Sequence, residues 1–187
     1  MDAWVWIVIA VVLILLLGAV AWAVSRERRT TRLREQFGPE YDRTVGLNDN
    51  RREAESELAA RRERRAALDI HPLTPASRDR YAEAWRGVQS GFVDDPAASL
   101  IEADRLVLIV MRERGYPMDN FEQRAADVSV DHPLVVEHYR AAYAISERTN
   151  ARQATTEDMR QGLMHYRALF EDLLGVGETQ LREAREA

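Results

Sequence analysis

From Ala3 to Ser25 the chain reads AWVWIVIAVVLILLLGAVAWAVS, twenty-three residues without a charge. As a helix rising about 1.5 Å per residue, this run is about 34 Å long, enough for a hydrocarbon core of about 30 Å. Trp4 and Trp6 stand near one end and Trp22 near the other, where indoles favour a membrane interface. The pattern predicts a transmembrane anchor over residues 1–25, with the lipid bilayer as its partner through residues 3–25. A cleaved signal peptide is the competing reading, and Ala19-Val20-Ala21 resembles a cleavage motif. It fits less well, because the start Met1-Asp2 is acidic and the apolar run exceeds about 7–15 residues.

Charge predicts orientation. Arg26, Arg28, Arg29, Arg32 and Arg34 come directly after the apolar run, whereas Asp2 is the only charged side chain before it. Basic residues beside a span stay on the cytoplasmic side, so the expected placement is the inner (plasma) membrane. The chain would cross it once, with the N-terminus out and the C-terminal domain cytoplasmic. The same five arginines are then expected to contact anionic lipid headgroups.

The remaining composition works mainly by exclusion. The 187 residues carry 26 basic and 31 acidic side chains, a net charge of −5, which argues against nucleic acid as a partner. Every basic residue is Arg. Without Lys there is no Schiff base and no phosphate-binding lysine. Without Cys there is no disulfide, no thiolate metal site and no thiol catalysis. Charge is also divided along the chain: residues 26–68 are net basic and residues 69–187 net acidic.

Beyond the apolar run, helix punctuation organises the chain. Gly38-Pro39 should stop the first helix near Phe37. Residues 48–68 are strong helix formers with few large apolar side chains, so 26–68 reads as an Arg-rich juxtamembrane spacer. Heptad positions for a coiled coil are missing. Thr74-Pro75 and Asp95-Pro96 each pair an N-cap with Pro at the first helical position. Between them Tyr81, Trp85, Val88 and Phe92 share one helical face. The helix from Ala97 to Arg114 is apolar around most of its circumference, as at the centre of a bundle. Asp119 and Glu122 have capping-box spacing and should open a short helix ending near Asp127. Asp131-His132-Pro133 should open the next, and Thr155 with Asp158 the last. Met159, Leu163, Tyr166, Phe170 and Leu173 then repeat at 4, 3, 4 and 3. Period-two alternation is lacking. The expected fold is all-α: an N-terminal transmembrane helix, a charged helical spacer, and a four- to five-helix bundle over 69–175, then a charged tail, 176–187.

No motif supplies catalysis. Gly175-Val176-Gly177 is not a dinucleotide loop, and no HExxH or ExxH motif accompanies His71, His132, His138 or His165. No catalytic residue, cofactor or metal is expected. Asp94-Asp95 and Glu157-Asp158 sit at helix starts, where capping accounts for them. Asp104, inside the most apolar helix, should be buried and paired with Arg124 or Arg140. The segment from Arg114 to Tyr143 mixes aromatic, acidic and imidazole groups, which suggests a partner surface of Tyr116, Phe121, Asp131, His132, His138 and Tyr139. An equally good reading makes Tyr116, Phe121 and Tyr139 core residues.

The apolar N-terminus together with LREQFGPEYDRTV, LDIHPLTP, FVDDP, EADRLV and FEQRAADVSVDHP resembles a group of bacterial membrane-anchored proteins with no assigned function. The resemblance implies an anchor plus a helical domain and transfers no catalytic residue. The expected function is a membrane-anchored, non-enzymatic protein-interaction or scaffolding module with an unidentified protein partner. The alternative is a helix-bundle enzyme or small-ligand domain around Asp104, His138 and His165.

Overall fold

The computed structural model describes residues 3–175, the side chains of 3, 5–11 and 23 excepted. The charged tail therefore lies outside the described residues. Among those described there are eight α-helices and no strand. They are α1 (Ala3–Phe37), α2 (Pro39–Leu47), α3 (Arg51–Ala66), α4 (Pro75–Gly91), α5 (Pro96–Glu113), α6 (Phe121–Asp131), α7 (Val136–Asn150) and α8 (Thr156–Leu173). The chain divides within α3 into two compact units, Met1–Leu58 and Ala59–Ala187.

Among the described residues, no helix is long and apolar enough to cross a membrane. This overturns the expected single-pass placement in the inner membrane, and with it the transmembrane element of the fold. From Arg26 α1 continues as a charged rod to Phe37. The expected headgroup contact of Arg26, Arg28, Arg29, Arg32 and Arg34 rested on that span and loses its basis. Arg34 instead has partners within the protein: Asp42 at 3.8 Å and the Tyr41 ring, whose centroid lies 5.1 Å from the guanidinium carbon.

The stretch read as a solvated spacer contains a small core of its own. Gly38, at φ 47°, ends α1 in the left-handed region, and Pro39 starts α2 at once. The reversal packs α2 on α1. Leu33 and Phe37 of α1, Tyr41 of α2, and Ala54 and Leu58 of α3 are all buried. At one edge of this core, the buried Glu55 carboxylate gathers three donors. Thr30 Oγ1 donates at 2.8 Å, Tyr41 OH at 2.9 Å and Arg51 Nε at 3.0 Å. Burial alone would push this carboxyl up, yet the bonds from Thr30, Tyr41 and Arg51 outweigh it and hold the group below the usual carboxylate range. Replacing Glu55 by Ala leaves these donors without their acceptor. Thermal unfolding of Glu55→Ala should show a loss of about 1–3 kcal/mol, while Arg52→Ala, on the exposed face of the same helix, should stay near wild type.

In Ala59–Ala187 the predicted punctuation is largely realised. Thr74 accepts from Ser77 N, Asp95 accepts from Ala98 N, and Thr155 with Asp158 forms a full capping box. Two boundaries differ. Asn120, not Asp119, caps α6, because the Asp119 carboxylate is engaged by Arg64 at 2.6 Å. α6 also runs past Asp127 to Asp131, since Val128 and Val130 are buried and Arg64 neutralises the buried Asp127. Pro133 consequently lies in the turn after α6, and α7 starts only at Val136.

α5 packs against α4, α7 and α8, placing Leu100, Ala103, Val107, Val110 and Met111 at the centre of the core. Trp85 and Phe170 stack at 4.6 Å beside it. At the end of α5, Gly115 has φ 94°, and a side chain there would lie 2.2 Å from the Asp69 carbonyl oxygen. His71 N donates to Arg114 O across the same junction. Gly162 of α8 is fixed by space instead: a Cβ would sit 2.9 Å from Leu100 Cδ1 and 3.0 Å from Ile145 Cγ2. Gly162→Ala should therefore lower the denaturation midpoint, with a loss of about 1–3 kcal/mol from overpacking, although Ala is the better helix former.

Candidate functional site

The segment from Arg114 to Tyr143 commits its polar groups internally. Arg64, in the last turn of α3, donates through Nε to the Asp127 carboxylate at 3.0 Å and through a terminal nitrogen to Asp119. Gln123 Nε2 donates to Asp127 at 3.0 Å. One residue along α3, Arg65 binds Asp131, and Tyr116 OH donates to the same carboxylate at 2.9 Å. His132 pairs with Asp172, and Arg114 lies 3.2 Å from His132 Nε2 while donating to the Leu173 carbonyl oxygen at 3.1 Å. Two adjacent arginines thus clasp three acids of the loop and helix around α6.

This arrangement sorts the sequence candidates. Tyr116 and Tyr139 are core residues, and burial pushes the phenol of each up. Phe121 is half-buried, stacked on Tyr143 at 3.8 Å and tilted against Tyr139. Asp131 and His132 are held in the two clusters just described. His138 lies apart from both clusters, its polar contact being with His165 of α8.

Asp104, His138 and His165 do not form one site. Asp104 accepts from Tyr166 OH at 2.7 Å, and Tyr166 OH lies 3.3 Å from Ser146 Oγ. Its hydrogen-bonding partner is this tyrosine rather than the expected Arg124 or Arg140. Arg124 acts on Asp104 only through charge; its Nε donates to Tyr139 OH at 3.2 Å. Burial raises the Asp104 carboxyl above its ordinary value, against the lowering by Tyr166 and Arg124. His138 and His165 meet each other, Nδ1 to Nδ1 at 2.9 Å. Consecutive residues turn about 100° around a helix, so the buried Tyr166 and the part-exposed His165 face different sides of α8.

A concavity in this unit has a different lining, one not singled out in the sequence. Ala84, Gly87, Val88 and Gly91 of α4 face Ala98, Ser99, Glu102 and Leu106 of α5 across an open groove of about 500 Å³. Asp95 lies at the turn joining the helices. A Cβ built on Gly87 meets nothing within 4 Å, whereas one on Gly91 meets Ser99 Oγ at 3.2 Å. The groove is therefore tight at one end and open over Gly87. Its sequence signal is the small residues at 84, 87 and 91, legible only once α5 is known to lie alongside. Its charged lining is acidic: Asp95 caps α5, and Glu102 pairs weakly with Arg105 at 3.5 Å.

The chain matches no protein-family model, no curated protein and no solved structure.

The raised carboxyl of Asp104 fixes the sign of a pH effect. An acid whose folded value exceeds its unfolded one favours folding when protonated, and that advantage is lost as pH rises through the folded value. Above the folded value the wild-type chain carries the cost of the charged form. Asp104→Asn keeps an oxygen for Tyr166 and removes this charge. Urea titrations should find the variant at least as stable as wild type at pH 7, with its relative advantage gone near pH 3.

Proposed function

We propose that this chain is a non-enzymatic protein-interaction module whose docking surface is the α4–α5 groove. The observation that carries this reading is the unfilled space over Gly87, in a channel floored by small side chains. Such a floor lets a partner backbone approach closely, as in helix packing between small residues. The apolar floor with Asp95 and Glu102 at its margins suits an amphipathic helix with a small-residue stripe edged by Arg or Lys. The net acidic charge of residues 69–187 favours the same partner through long-range attraction. A catalytic or small-ligand pocket around Asp104, His138 and His165 has less support, because these residues belong to two separate pairs on different sides of α8.

The open space permits a clean test. Gly87→Leu starts from a Cβ that meets nothing within 4 Å, projects into the open groove and replaces a poor helix former, so its stability should equal or exceed that of wild type by up to about 1 kcal/mol. A photo-crosslinking residue in place of Ala98 should capture a defined protein in the otherwise native chain, and Gly87→Leu should abolish that capture. An unchanged crosslinking pattern in a folded Gly87→Leu variant would remove the groove as the docking surface.

A further inference from the structure

We propose that His138 and His165 form a two-histidine site for a divalent transition cation of tetragonal preference, of the copper(II) or nickel(II) type. The pair is contributed by α7 and α8, adjacent helices of the bundle, and both rings are part-exposed. Their Nδ1 atoms face each other at 2.9 Å with ring centroids 5.1 Å apart. In that contact one nitrogen donates and the other accepts, so only one proton lies between the rings. Among the described residues, neither ring has a carboxylate within ion-pair distance, unlike His132 with Asp172. A cation that binds both Nδ1 atoms takes the place of the shared proton, which the donating ring carries instead on its own Nε2, so that each ring ligates as a neutral imidazole with no net proton released.

The separation is compatible with a tetragonal coordination geometry. Two imidazole nitrogens each about 2.0–2.1 Å from a metal and at right angles to one another lie about 2.9 Å apart; a tetrahedral angle would open them to about 3.3 Å. The 2.9 Å of the hydrogen-bonded pair already equals the spacing of adjacent corners of a square-planar or tetragonal set, so the two nitrogens need not separate to take up the arrangement preferred by copper(II) and nickel(II). Imidazole is a favoured ligand for both ions. Among the described residues, no group of three or more His, Asp or Glu side chains could hold a metal. The pair therefore supplies two ligands and leaves the remaining positions to water, which the exposure of both rings allows.

Electron paramagnetic resonance of the full chain titrated with copper(II) chloride in a non-coordinating buffer tests this. One tetragonal centre per chain with coupling to two nitrogens is expected. His138→Gln and His165→Gln should each weaken binding by about tenfold or more, whereas His71→Gln and His132→Gln should leave it unchanged. No copper centre at micromolar cation, or one that survives the double substitution of His138 and His165, would overturn the site. If a substitution unfolds the bundle, the unsubstituted protein decides. At about a tenth of an equivalent of copper(II), the ring protons of His138 and His165 should broaden before those of His71 and His132. Simultaneous broadening of all four would count against the proposal.

Discussion

The enclosure of α5 is the constraint on which the larger unit depends. Leu100, Ala103, Val107, Val110 and Met111 are fully buried, which requires neighbours on several sides, and α4, α7 and α8 supply them. At roughly 25 cal/mol per Å² of apolar surface, such burial is the main favourable term in forming the bundle. The close approach of α8 at Gly162 is a consequence: Leu100 and Ile145 fill the space that any side chain there would need. One flank of α5 nevertheless stays open, with Ile101 half exposed and the α4–α5 groove beside it. The same helix therefore provides both the centre of the core and one wall of the surface assigned to docking.

Local punctuation was legible in the sequence because a cap needs only its own next three residues. Thr74 with Ser77, Asp95 with Ala98, and Thr155 with Asp158 satisfy one another wherever the helix goes. The α6 boundaries were not legible, because there the competition is tertiary. Arg64 lies 55 residues from Asp119, yet by engaging its carboxylate it leaves the capping role to Asn120. Its pairing with Asp127 offsets the cost of burying that carboxylate within α6.

The same distinction separates the candidate sites. Asp104 could be expected to find a partner from its apolar surroundings, but not to find Tyr166, 62 residues away. The histidine pair joins positions 27 apart on different helices, and no spacing rule connects them. The Glu55 cluster draws on Thr30, Tyr41 and Arg51, each unremarkable until α2 reverses the chain after Gly38. Conversely, the uncharged N-terminal run dominates any reading of the sequence because hydropathy windows weigh a contiguous stretch.

The clasp around α6 is made of guanidinium groups alone, and this gives it a property that ammonium groups could not. Attraction from Asp127 raises the affinity of Arg64 for its proton, in a side chain that already keeps its charge beyond about pH 12. Strong alkali that would neutralise a lysine therefore leaves this junction charged, a property it shares with the other Arg–carboxylate pairs of a chain that has no lysine.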